Sequence, residues 1–184
     1  MSEENTNKTT TDHADREITV YVPPRWGDMD AYGHVNNVAI LSIMEEARIA
    51  LFGPPPSSGQ KPKNLPAPPI PLFETMADGV QALIAEHGIR YVAPLPYTGE
   101  NIPVRVRIEK ITAASVRVGY KILNPVNGTD CVRAFTVLAF WDSAAEQLAR
   151  LNPSQRAMLE GHKMLGHGHS HYPVSASQAG FYMQ

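Results

Sequence analysis

The chain has 184 residues, 43% of them hydrophobic and 18% charged, enough for one globular domain with a real core and too few for two of ordinary size. A formal net charge of -2 and a pI near 6.4 exclude a global field that would draw the chain to nucleic acid or an anionic membrane. Cys131 is the only cysteine, so an internal disulfide is excluded; with no apolar signal segment in residues 1–16 and no apolar run long enough to cross a bilayer, a cytoplasmic location is expected.

Residues 1–15 carry little that could be buried and are expected to form a disordered leader. Residues 16–164 are read as a single domain, and residues 165–184 as a flexible tail. The domain opens with Ile18, Val20 and Val22 alternating with polar residues and Tyr21, the pattern of a half-buried strand that Pro23-Pro24 ends. Residues 38–52 are the one strong internal helix, with Asn36 or Asn37 to cap its start and Gly53 its end. Apolar residues cover most of its circumference, Ser42, Glu45 and Glu46 form a narrow polar stripe, and Arg48 lies to one side. A helix apolar nearly all round belongs inside something, here a wrapping sheet.

Eight of the 16 prolines fall in residues 53–72, which makes that stretch an irregular insertion and, by its length, a surface loop or lid. Only strand patterns follow, until a short helix near residues 153–165. Residues 80–94 form the first strand, with a break expected at Gly88. Val104, Val106 and Ile108 mark the next, and Val116, Val118, Tyr120 and Ile122 the third. Asn127-Gly128 signals a tight turn before a strand over residues 132–141. Strands this close in sequence pair antiparallel, giving an α+β domain.

The chemistry concentrates in Gly27-Asp28-Met29-Asp30-Ala31-Tyr32-Gly33-His34-Val35-Asn36-Asn37, between the first strand and the helix. The first amides of a helix lack intrahelical partners and carry the positive end of its dipole. A carbonyl placed there would have its developing oxyanion stabilised, with Asp30 near in sequence to act on it as base or nucleophile. Gly33 permits the tight backbone that lets a ligand approach.

This stretch, running into Glu45-Glu46-Ala47-Arg48, resembles the signature of the hot-dog thioesterases, and within them the branch that contains 4-hydroxybenzoyl-CoA thioesterase. Ile89-Arg90-Tyr91-Val92-Ala93-Pro94-Leu95 adds to the likeness, which spans roughly residues 16–145. The resemblance implies a hot-dog fold, a curved antiparallel sheet wrapped around one long buried helix. It implies an acyl-CoA thioesterase of lipid metabolism that needs no cofactor and no metal. Asp30 matches the family's catalytic aspartate, and His34 the histidine of its His-Val-Asn-Asn variant. Asn37 matches the residue whose backbone amide polarises the thioester carbonyl, with Gly33, Asn36 and Tyr32 as further substrate-binding candidates. Related acyl-carrier-protein thioesterases have asparagine where this chain has Tyr32, so their full residue set does not transfer. The proline-rich insertion is a second departure.

Each residue also has a plainer role available. Asp30 can be a turn aspartate, Asp28 a loop-bonding one, His34 a packed histidine, and Asn36 or Asn37 a simple cap. Cys131 reads as a small core residue and Glu45 and Glu46 as solvated. His167, His169 and His171 resemble a metal tract but fall in the expected tail. Arg90, Arg105, Arg107, Arg117 and Arg133 are the candidates for holding CoA phosphates. The competing functions are a non-catalytic acyl-CoA-binding or assembly protein and a hydratase or dehydratase, which the missing Asn-Pro between Asp30 and His34 disfavours. One unit leaves a sheet edge open, so the expected partners are an acyl-CoA and further copies of the chain, as a homodimer or homotetramer.

Overall fold

The computed structural model describes residues 16–55 and 66–163. The expected leader, the whole of the expected tail with its three histidines, and the middle of the proline-rich insertion lie outside the described residues.

One six-stranded antiparallel sheet carries the fold. Its strands are β1 (Ile18–Val22), β2 (Val80–Tyr91), β3 (Ile102–Ile111), β4 (Ser115–Leu123), β5 (Asp130–Asp142) and β6 (Gln147–Leu148). The order is β1-β3-β4-β5-β2, with β6 on the end of β5. Alternation places Val104, Val106 and Ile108 of β3 and Val116, Val118, Tyr120 and Ile122 of β4 on one buried face. The sheet curls around helix α1 (Asn37–Phe52), whose Ile40, Ile43, Met44, Ala47 and Leu51 fill the concave side. A second helix, α2 (Pro153–His162), starts with a reciprocal cap between Asn152 and Gln155 and buries Leu159. Arg16 donates to the carbonyls of Gly161 and Lys163 at its far end, 3.2 and 3.1 Å away.

Four local expectations change. The break at Gly88 does not occur: β2 runs through it, and the irregularity is a bulge between Ile84 and Glu86. Glycine stands at 88 because the Phe135 ring, opposite in register, fills the space a side chain would take. The insertion is not a surface loop throughout: Ile70 and Leu72 are buried, and the Ile70 amide donates to the Leu51 carbonyl at 3.0 Å. The exposed face of α1 is wider than its polar stripe, because Val38 and Leu41 are 70% and 41% exposed; one curled sheet covers a helix from one side only. Arg48 moves the other way, into the core, at 7% exposure.

Candidate active site

The loop before α1 is a small hairpin held by its own residues. Met29 bridges Val35, the Asp30 amide donates to the His34 carbonyl at 2.7 Å, and Gly33 turns the chain with φ 79°. Positive φ favours glycine, which has no Cβ to clash. Oδ1 of Asp30 accepts the Tyr32 amide at 2.8 Å and the His34 amide at 2.9 Å. These bonds, the His34 amide first, favour the ionised carboxylate and hold Asp30 below its ordinary value of 3.8, against the opposing effect of desolvation. Both bonds fall on Oδ1, so among the described residues Oδ2 has no hydrogen-bond partner.

A second loop braces the hairpin. Val35 donates to the Leu95 carbonyl at 2.8 Å, Tyr97 donates to the Gly33 carbonyl at 2.9 Å, and His34 bridges Pro96. Trp26 packs edge-on to Tyr97 with ring centroids 6.1 Å apart. Asp28 takes the structural role: its Oδ2 accepts the Arg25 amide at 2.7 Å, and its carbonyl accepts the Asn36 amide at 2.8 Å.

Asn36 is the helix cap, its Oδ1 accepting the Ala39 amide at 2.8 Å. That leaves the amides of Asn37 and Val38, the first two of α1, without an acceptor among the described residues. Tyr32, Gly33 and Asn37 are exposed, Tyr32 by 85%, and Asp30 and His34 are half-buried. A cleft of about 230 Å³ beside the hairpin is lined by Arg25, Asp28 and Glu46 among others, and Asp30 is not in its wall. The sequence-derived set therefore gathers at one loop and helix start, but on an open surface.

Of the five arginines considered for phosphate, Arg107, Arg117 and Arg133 hold ion pairs with neighbouring carboxylates, and Arg90 is not free either. Arg107 pairs with Glu17 and Glu109 at 3.1 and 2.6 Å, Arg117 with Glu109 at 2.9 Å, and Arg133 with Asp130 at 2.7 Å. Arg117 also lies 3.3 Å over the Phe135 ring. Among the described residues no group of three His, Cys, Asp or Glu is placed to hold a metal ion, and no helix is long and apolar enough to cross a membrane.

Reading by pattern missed a polar cluster in the core. Arg48 Nη1 lies 3.5 Å from the Tyr120 hydroxyl and 3.3 Å from Thr136 Oγ1, which is 3.0 Å from His87 Nδ1. Burial, then the charge of Arg48, push the His87 imidazole below 6.5. The available signals were an arginine flanked by apolar turns and a threonine at an inward position of β5.

A family model described as the thioesterase-like superfamily matches residues 24–159. Among solved structures, a thioesterase from Thermus thermophilus complexed with coenzyme A and Zn is 22% identical, with a TM-score of 0.59 over 82% of this chain and 96% of that one. A predicted thioesterase from Bacillus stearothermophilus is 22% identical, with a TM-score of 0.60 over 79% and 95%. A DHNA-CoA thioesterase from Staphylococcus aureus is 16% identical, with a TM-score of 0.60 over 78% and 88%. No curated protein matches the chain. The structural likenesses establish the hot-dog fold, and the chain belongs to the thioesterase-like superfamily.

Proposed function

From that membership we propose that the chain is a thioesterase that hydrolyses an acyl-CoA to free acid and coenzyme A. The observation that carries this reading is the juxtaposition of Asp30, held toward its ionised form, and the α1 start: among the described residues one carboxylate oxygen is uncommitted and the Asn37 and Val38 amides lack acceptors. Coenzyme A bound to the Thermus thermophilus thioesterase, and the DHNA-CoA thioesterase among the similar folds, support CoA as the thiol.

In this mechanism the thioester carbonyl sits over the helix start, where the Asn37 amide polarises it. Oδ2 of Asp30 takes a proton from water as the water oxygen bonds to the carbonyl carbon. The oxyanion collapses, the carbon–sulfur bond breaks, and the thiolate leaves with the proton. In the alternative route Asp30 itself attacks, the thiolate leaves, and water opens the mixed anhydride. A fixed donor at an oxyanion is worth roughly 10²–10³ in rate, so the helix start matters as much as the carboxylate. His34 and Tyr32 would flank the bound thioester, with Gly33 allowing its approach.

The open setting of these groups is the reason to place the site between copies. β2 pairs with β5 on one side only and exposes Leu83, Ile84 and Tyr91, while α1 exposes Val38 and Leu41. We place the working enzyme as a homodimer or homotetramer, acting in the cytoplasm on an intermediate of lipid metabolism. The deciding experiment is thiol release from a panel of aliphatic and aromatic acyl-CoAs. Turnover supports the enzyme, whereas tight binding without turnover turns the reading to an acyl-CoA-binding protein.

A further inference from the structure

Arg48 is the one cation of the helix that faces the core, among Met44, Ala47, Leu51 and Phe52, all 1% exposed or less. Its two hydrogen bonds, at 3.5 and 3.3 Å, go to neutral hydroxyls and both use Nη1. Among the described residues no carboxylate lies within 4.0 Å of it, in contrast to Arg107, Arg117 and Arg133. A guanidinium taken out of water without a counter-charge is strongly disfavoured, so the fold holds this cation ready for an anion.

The free part of the guanidinium is the Nε–Nη2 edge, the fork that receives a carboxylate through two parallel bonds. Every fully enclosed side-chain nitrogen or oxygen among the described residues has a partner. Among the described residues Nε and Nη2 have none, so neither atom is fully enclosed. The cluster also reaches the surface: Thr136 Oγ1 contacts Nδ1 of His87, which stands exposed on the edge strand β2.

Position decides which part of a substrate would meet this fork. Arg48 is eleven residues beyond Asn37, about 16 Å along the helix at 1.5 Å per residue, and its side chain leans back toward the helix start. A group bound there lies two to three turns from the carbonyl, at the far end of the acyl chain rather than at coenzyme A. We propose that Arg48, with Tyr120, Thr136 and His87, forms a distal acyl pocket that binds a terminal carboxylate, making ω-carboxyacyl thioesters the preferred substrate class. The proposal rests on the thioesterase reading for the placement of the carbonyl.

Full-length protein is assayed with hexanedioyl-, octanedioyl- and dodecanedioyl-CoA against the matched monocarboxylic acyl-CoAs. In parallel, binding of the free diacids and monoacids is measured by calorimetry. We expect kcat/KM to favour one dicarboxylic member by at least about tenfold over its match, since a charged fork left unpaired penalises the plain chain. Arg48→Met, which keeps bulk and removes charge, should invert that ratio and abolish diacid binding. His87→Gln should weaken diacid binding and serves if Arg48→Met fails to fold. A wild-type preference for plain chains at every length would overturn the proposal. So would an Arg48→Met ratio equal to wild type, including one that loosens the oligomer and thereby assigns Arg48 to a carboxylate of the second copy. If no thioester is turned over, the thioesterase reading fails by itself, and the diacid calorimetry still decides the pocket.

Discussion

The His34 amide donates to Asp30 Oδ1 at 2.9 Å while the Asp30 amide donates to the His34 carbonyl at 2.7 Å, so the two residues close the hairpin from both sides. Asparagine can keep that arrangement, because its own Oδ1 accepts the same amides, but it lacks the anion. Asp30→Asn should therefore fold with a near-native melting temperature and lose roughly 10²–10⁴-fold in kcat, the range for a missing general base. Asp28→Asn, in the same loop, should cost less in rate. Steady-state kinetics on both variants checks this; a well-folded Asp30→Asn with wild-type turnover ends the mechanism.

The acid limb of the pH–rate profile carries a second test. The amides of His34 and Tyr32 lower the Asp30 value below 3.8, so the carboxylate stays ionised throughout the ordinary working range. Its protonation should be felt only below 3.8, and so should the loss of the stability it contributes, which is present above that value. Any limb with a midpoint above about 5 that survives His34→Asn would show that another group is the base.

Gly88 and Phe135 make a packing prediction. The Arg117 guanidinium lies over the Phe135 ring, and the same ring fills the space that a side chain at Gly88 would take. Gly88→Ala should destabilise the fold by about 1–3 kcal/mol, the range for overpacking. Phe135→Leu should recover part of that loss in the double variant, read as a coupling between the two melting temperatures. Simple additivity would mean that the ring does not exclude the side chain.

His87 sets a stability window. Its value is lowered from 6.5, so the unfolded chain takes up the proton first as pH falls. Stability should be unaffected above 6.5, decline as pH falls below it, and level off once the folded protein also takes up the proton. Thermal scans between pH 7.5 and 5 should show a shallower decline for His87→Gln than for wild type; parallel curves would remove the imidazole from the account.

Association should be strong enough to see at working concentrations. β2 leaves one edge unpaired and exposes Leu83, Ile84 and Tyr91. Light scattering at micromolar concentration should give at least a dimer. Ile84→Lys should weaken it and lower activity together, whereas a fully active monomer would place a complete site within one chain.

Local pattern made much of this protein legible. Period-two alternation announced β1, β3 and β4 with their buried faces, and residue type gave the helix start with a cap at Asn36 or Asn37, of which the structure uses Asn36. The carboxylate, turn glycine and capping residues were legible because they are adjacent in the chain, and their bonds close over a few residues. β6, two residues long, leaves no period to read.

What required tertiary structure involves residues far apart in sequence. Gly88 reads as a strand breaker until Phe135, 47 positions on, is placed opposite it in register. Ile70 and Leu72 read as loop until they meet the end of α1. Arg48 reads only as a cation to one side of a polar stripe, because a helix pattern tells which residues share a face but not how far the sheet curls round it. The sequence by itself determined most of the elements and the candidate loop before α1, whose forces are local. Only the tertiary structure decided that Arg48 lies in the core against Tyr120 and Thr136, since sheet register sets which distant side chains meet.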